Sequence, residues 1–218
     1  MIRYVATLLF AFSAVALGAS GNISKVNSSI RVDDGGQAGD VSTVNGSITI
    51  GRNASVREVD TVNGSIRLDE RARAESVETV NGGVTLGEGV LVSEDVSAVN
   101  GKLTVQRGAR VGGRLENVNG QFLLEGATVG AGIETVNGDI VVGAGSRVDG
   151  GVTVEDSNSW KWRAKSRNPR LTIESGAVVN GPLRFEREVD LYLGDGAVIG
   201  PVEGVEPRRY AIGAADAG

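Results

Sequence analysis

The tripeptide Val-Asn-Gly recurs along this chain at a nearly constant interval, and that periodicity constrains the fold more than any other feature. Val-Asn begins at Val26, Val44, Val62, Val80, Val99, Val118 and Val136, and Gly follows each pair except at Ser28. The asparagines are spaced 18, 18, 18, 19, 19 and 18 residues apart. Within a period the apolar residues repeat as regularly: Val44, Ile48, Ile50, Ala54, Val56 and Val59 in one copy, Val62, Ile66, Leu68, Ala72, Ala74 and Val77 in the next. Pairs such as Ile48 and Ile50 are two apart, so both side chains point to one side of a strand. Three such inward-facing segments per period describe a coil with three faces.

Burying six small side chains falls well short of the conformational entropy lost in ordering 18 residues. One period therefore cannot fold alone; it needs neighbours that stack on it and pair strands with it. The expected architecture is all-β: a single-stranded parallel β-helix, or β-solenoid, with about 18–20 residues per coil. A right-handed coil is expected, because parallel crossovers favour that hand, although an 18-residue period also fits the left-handed hexapeptide class arithmetically. At the repeated corner, Asn and Gly are read as residues that tolerate left-handed backbone, with Val opening the apolar wall. The corner residues are Asn45, Asn63, Asn81, Asn100, Asn119 and Asn137. Asparagines pointing inward would bond backbone in the adjacent coil; pointing outward they would form a row of solvated corners.

The repeated "TVNGSI", "TVNGGV", "NVNGQF" and "TVNGDI" resemble the bacterial adhesin-type β-strand-repeat domain family. The later "GAVVNGPLRF" and "GAVIGPVEG" are similar to bactofilins, the polymer-forming β-helical cytoskeletal proteins. The likeness covers roughly residues 22–205. It implies a β-helical fold and carries no catalytic motif with it.

Residues 1–19 read as a secretory signal peptide: Arg3, then the uncharged run "YVATLLFAFSAVAL", then small residues. From Tyr4 to Ala19 is 16 residues, short of the ~20 a spanning helix needs, so no membrane span is expected after cleavage. Export to the periplasm or cell surface departs from the cytoplasmic setting of most bactofilins. The solenoid is expected over 20–205, with a basic and aromatic insertion at 157–170 and a flexible tail at 206–218. The pair Leu171/Ile173 recurs as Leu191/Leu193, a 20-residue period.

The chain contains no His and no Cys, which removes Ser-His and Cys-His nucleophilic chemistry, ordinary zinc sites and disulfides. Adjacent carboxylates occur at Asp33-Asp34, Asp69-Glu70, Glu94-Asp95 and Glu155-Asp156, but neighbours along a strand face opposite sides. No catalytic residue, metal or cofactor is expected. The formal net charge of −5 argues against nucleic-acid binding.

The segment "SNSWKWRAKSRNPR" stands apart. It holds both tryptophans and five basic residues with no acidic one. In an extended conformation Trp160 and Trp162 line one side, and Lys161, Arg163 and Lys165 the other; Arg167 and Arg170 follow. These seven are the candidate binding residues, for an anionic glycan or an envelope protein. The alternative is a strand extension or hairpin whose tryptophans cover apolar surface. End-to-end self-association is a further expectation, since the last coils carry little obvious protection.

Overall fold

The computed structural model describes residues 21–156 and 167–212. They form a parallel β-solenoid of about nine turns, with three columns of strands as its faces.

The first face begins with Ile23–Lys25, Val41–Asn45, Glu58–Asn63 and Ser76–Asn81. Each strand pairs in parallel with its counterpart one coil on. The second face begins with Ile30–Val32, Ile48–Ile50, Ile66–Leu68 and Val84–Leu86. Val96–Val105 and Arg114–Leu124 run unbroken around the corner between these two faces. The third face is narrow, built from two-residue strands such as Arg73–Ala74, Leu91–Val92 and Arg110–Val111.

In-register pairing turns the repeat into columns. Ile30, Ile48, Ile66, Val84, Leu103, Phe122, Ile140, Leu171 and Leu191 are all buried and lie one above another. The expected pairing of Leu171 with Leu191 holds. Alternation along the first face puts Val41 and Thr43 inside, so Val44 lies outward and only half-buried. The wall thus begins with the threonine before the motif, not with its valine. Thr43, Thr61 and Thr79 are buried, and their hydroxyls donate to Ser28, Gly46 and Gly64 carbonyls of the coil below at 3.0–3.1 Å.

The corner itself corrects the expectation of left-handed backbone. None of the motif asparagines has positive φ, and neither do Gly46, Gly64 and Gly82. Glycine is required there by proximity: a Cβ on Gly64, Gly82, Gly101 or Gly120 would sit far inside van der Waals contact of the preceding coil's glycine carbonyl. Ser28 takes the equivalent position in the first described coil. A column of left-handed residues lies instead between the second and third faces: Gly35, Asn53, Arg71, Gly89, Gly108, Gly126, Gly145, Gly176 and Gly196; Gly101, Gly132, Gly151 and Gly204 are the other glycines with positive φ. Each member of the column is the third residue of a four-residue turn that needs positive φ there, as in Ala54 N–H donating to the Gly51 carbonyl at 3.2 Å.

Ordered structure extends beyond 205: Arg208–Ile212 pairs with Asp190–Gly194, so the expected tail at 206–218 begins too early. Both ends carry charge in inward columns. Lys25 takes the register position of the buried Thr43. Arg209 takes that of the buried Leu191 and pairs with Glu206 at 3.0 Å.

The two glycine columns differ in what substitution costs. Gly176→Ala places an ordinary residue at φ +73 with nothing within 4 Å of its Cβ and should lose about 1–2 kcal/mol in denaturant unfolding. Gly82→Ala drives a methyl into backbone and should lose upwards of ~3 kcal/mol, or prevent folding altogether.

Candidate functional site

The Asn-Gly corner carries a side-chain ladder. Asn45 Nδ2 donates to Asn27 Oδ1 at 2.8 Å, Asn63 to Asn45 at 2.9 Å, Asn81 to Asn63 and Asn100 to Asn81 at 3.0 Å. Asn119 and Asn137 continue it at 3.2 Å. The side chains are solvent-facing yet bonded to one another, so the column combines features of both sequence alternatives. The amides receive a partner in each direction, which fixes the rotamer of every rung.

The ladder stops at Asn137, and the insertion lies where it stops. Val152–Val154 pairs with the first-face residues 133–135, and Arg170–Ile173 with the second-face residues 139–142. Residues 155–169 therefore connect the first face to the second at the corner that Asn-Gly occupies elsewhere. Arg187, from the next corner, reaches back and donates to Asn137 Oδ1 at 2.6 Å and to the Val136 carbonyl at 3.4 Å. A guanidinium thus closes the amide ladder.

Of the seven candidate binding residues, Trp160, Lys161, Trp162, Arg163 and Lys165 lie outside the described residues. Arg167 and Arg170 are placed, and both are engaged at the base of the insertion. Arg167 forms an ion pair with Asp139. The backbone N–H of Arg170 donates to the same carboxylate at 3.0 Å, while its guanidinium lies 4.9 Å over the Tyr192 ring. Tyr192 in turn stacks on Tyr210, with centroids 4.7 Å apart and planes 16° from parallel. Asn168 donates to Glu188 at 3.3 Å, and the Asp156 N–H to Glu186 at 3.1 Å. Both arginines thus make contacts within the chain at the base of the insertion. The tyrosines were missed in the sequence because they are 18 residues apart, whereas the last coils were read on a 20-residue period.

Stacking also assembles a carboxylate cluster that adjacency in sequence did not reveal. On the outward side of the first face, Asp60 is the register neighbour of Glu78, and Glu116 of Glu134. Burial against the sheet pushes the Asp60 carboxyl up to about 7, with Glu78, Glu58 and Asp40 adding repulsion. Burial, then Glu58, raises Glu78. Burial and Glu134 raise Glu116 despite the opposing influence of Arg114. Aligning the repeats one under another would have shown these columns; reading along the chain does not. Among the described residues, no three or more acidic side chains are grouped so as to hold a metal ion.

No protein-family model, curated protein or solved structure matches the chain. The β-solenoid is established by the structure itself.

The raised carboxyls give stability a defined pH dependence. The folded state keeps protons that the unfolded chain releases near pH 4, so stability is highest below that value. It falls as pH rises through about 7, where Asp60 ionises in the folded protein. Melting curves between pH 5 and 8 should therefore decline with pH. Asp60→Asn should flatten that decline and raise the melting temperature at pH 8 by roughly 2–4 °C.

Proposed function

We propose that this chain is a non-enzymatic, exported β-solenoid of the bacterial envelope, serving as a rigid scaffold or adhesin-like binding surface. The observation that carries the reading is the placement of the insertion. A regular coil gives up its corner ladder at one position, and the residues on either side of a basic, tryptophan-bearing segment are engaged with the solenoid there. Arg167 on Asp139 and Arg170 on Tyr192 hold the residues that follow it, and the Asp156 N–H on Glu186 those that precede it. An element anchored on a rigid scaffold is a common way to present a binding group. The apolar run at Tyr4–Leu17 and the "TVNG" resemblance support the envelope setting.

The segment then offers Trp160 and Trp162 for stacking, and Lys161, Arg163 and Lys165 for charge pairing with an anionic glycan. End-to-end filament formation is the weaker alternative. Lys25 and Arg209 hold charge in the inward columns of the first and last described coils, a device that opposes edge-to-edge addition.

A second reading, a glycan-active enzyme, draws on Asp60 beside Glu78, one carboxyl protonated near neutrality and one strand spacing from its neighbour. One experiment separates the two. Titrating the purified protein with a panel of anionic glycans should shift or quench tryptophan fluorescence without shortening the glycan. Arg163→Glu with Lys165→Glu should abolish the response. Glycan cleavage that disappears in Asp60→Asn or Glu78→Gln would overturn the scaffold reading.

A further inference from the structure

The third face carries a row of arginines that neither the corner insertion nor the coil needs. Strand register places Arg73, Leu91, Arg110, Thr128 and Arg147 one above another on successive coils. Arginine thus recurs at every second coil, an interval of about two strand spacings, ~9.6 Å. All three are exposed.

Their partners differ in a way that selects two of them. Arg57, Arg67, Arg114 and Arg184 elsewhere on the surface each have a carboxylate within 4.0 Å, and so does Arg147, with Asp149 at 2.8 Å. Among the described residues, Arg73 and Arg110 have none. Between them lies Leu91, 37% exposed. Beside them runs a groove of about 400 Å³, whose lining includes Asn53, Arg71, Gly89 and Gly108. Gly89 and Gly108 are the left-handed turn residues, and their lack of side chains keeps that edge of the groove open. Arg71 is already paired with Glu70 at 2.8 Å, so the free charge in the groove belongs to Arg73 and Arg110.

We propose that this face binds a linear anionic polysaccharide bearing one carboxylate or sulfate per disaccharide, laid along the solenoid axis. Each guanidinium fork takes one acidic group in bidentate fashion. Leu91 meets the apolar face of the intervening sugar, and the Asn53 amide offers a donor and an acceptor to hydroxyls. The spacing of about two coils matches the repeat of a disaccharide polymer. It is far sparser than a nucleic-acid backbone, whose phosphates recur every ~3.4 Å along a strand. The site rests on the reading of the chain as an exported binding surface but uses none of the insertion's residues.

The test is calorimetric titration of the full chain at low ionic strength with hyaluronan oligosaccharides, cellohexaose and single-stranded oligo(dT). Hyaluronan should bind, and Arg73→Gln with Arg110→Gln should weaken it at least ~10-fold with an unchanged unfolding midpoint. Arg163→Glu with Lys165→Glu should leave this binding in place. No binding by the wild-type chain, equal affinity for cellohexaose or oligo(dT), or undiminished binding by the Arg73/Arg110 variant would each overturn the proposal. If binding is lost only in the Arg163/Lys165 variant, the third-face site fails while the corner segment stands as the glycan contact.

Discussion

The structure depends on one close contact: the approach of backbone to backbone where consecutive coils turn between the first and second faces. The glycine of each motif lies against the carbonyl of the glycine below, with no room for a Cβ between them. That contact lets hydrogen bonding continue through the corner. Gly64 N–H donates to the Asn81 carbonyl at 3.0 Å, and Gly82 N–H to the Asn100 carbonyl at 2.9 Å. It also brings the asparagine amides within reach of one another. A larger residue would separate the coils locally and open the ladder, the backbone bonds and the buried threonine bonds together. Fidelity of the motif is therefore a property of the stack.

Much of this was legible in the sequence, and what was not has a common cause. The period, the three inward segments and pairs such as Ile48/Ile50 are one-dimensional signals, and they gave the architecture. The roles of Thr43 and Val44 were exchanged because a side chain's facing was counted from the motif instead of from Val41, where the alternation starts. The left-handed turns were missed because their column mixes Gly with Asn53 and Arg71, so no single residue type marks it. Asp60 over Glu78 and Tyr192 over Tyr210 are contacts between residues 18 apart in each case. Such pairs appear only when one coil is laid on another. The charged ends, Lys25 and Arg209, are breaks in a column and are visible only once the column is known.

Function follows from the same division between regular and broken columns. A regular column multiplies whatever side chain it holds: amides at the corner, carboxylates on the first face, arginines at every second coil on the third. Repetition of charge at fixed spacing suits extended, repetitive ligands, while on the first face burial, with repulsion from the stacked carboxylates added, raises the Asp60 carboxyl. Where the ladder ends, the chain inserts a segment of different composition, and Asp156, Arg167 and Arg170 beside it bond to the solenoid. A long, stiff body with distinct faces and one anchored insertion is suited to holding or bridging polymers, which is the role proposed for it.

The central claim, in-register stacking of the coils, can be tested directly because the chain has no cysteine of its own. Thr85 and Thr104 are register neighbours on the outward side of the second face, close enough for a disulfide, which needs Cα atoms within about 7 Å. Lys102 lies two residues out of register with Thr85, and its Cα falls beyond that reach. Mild oxidation of the Thr85→Cys/Thr104→Cys protein should give a cross-link, detected by mass spectrometry, and the Thr85→Cys/Lys102→Cys protein should give none. Cross-linking of the second pair in preference to the first would contradict the stacked register on which the account rests.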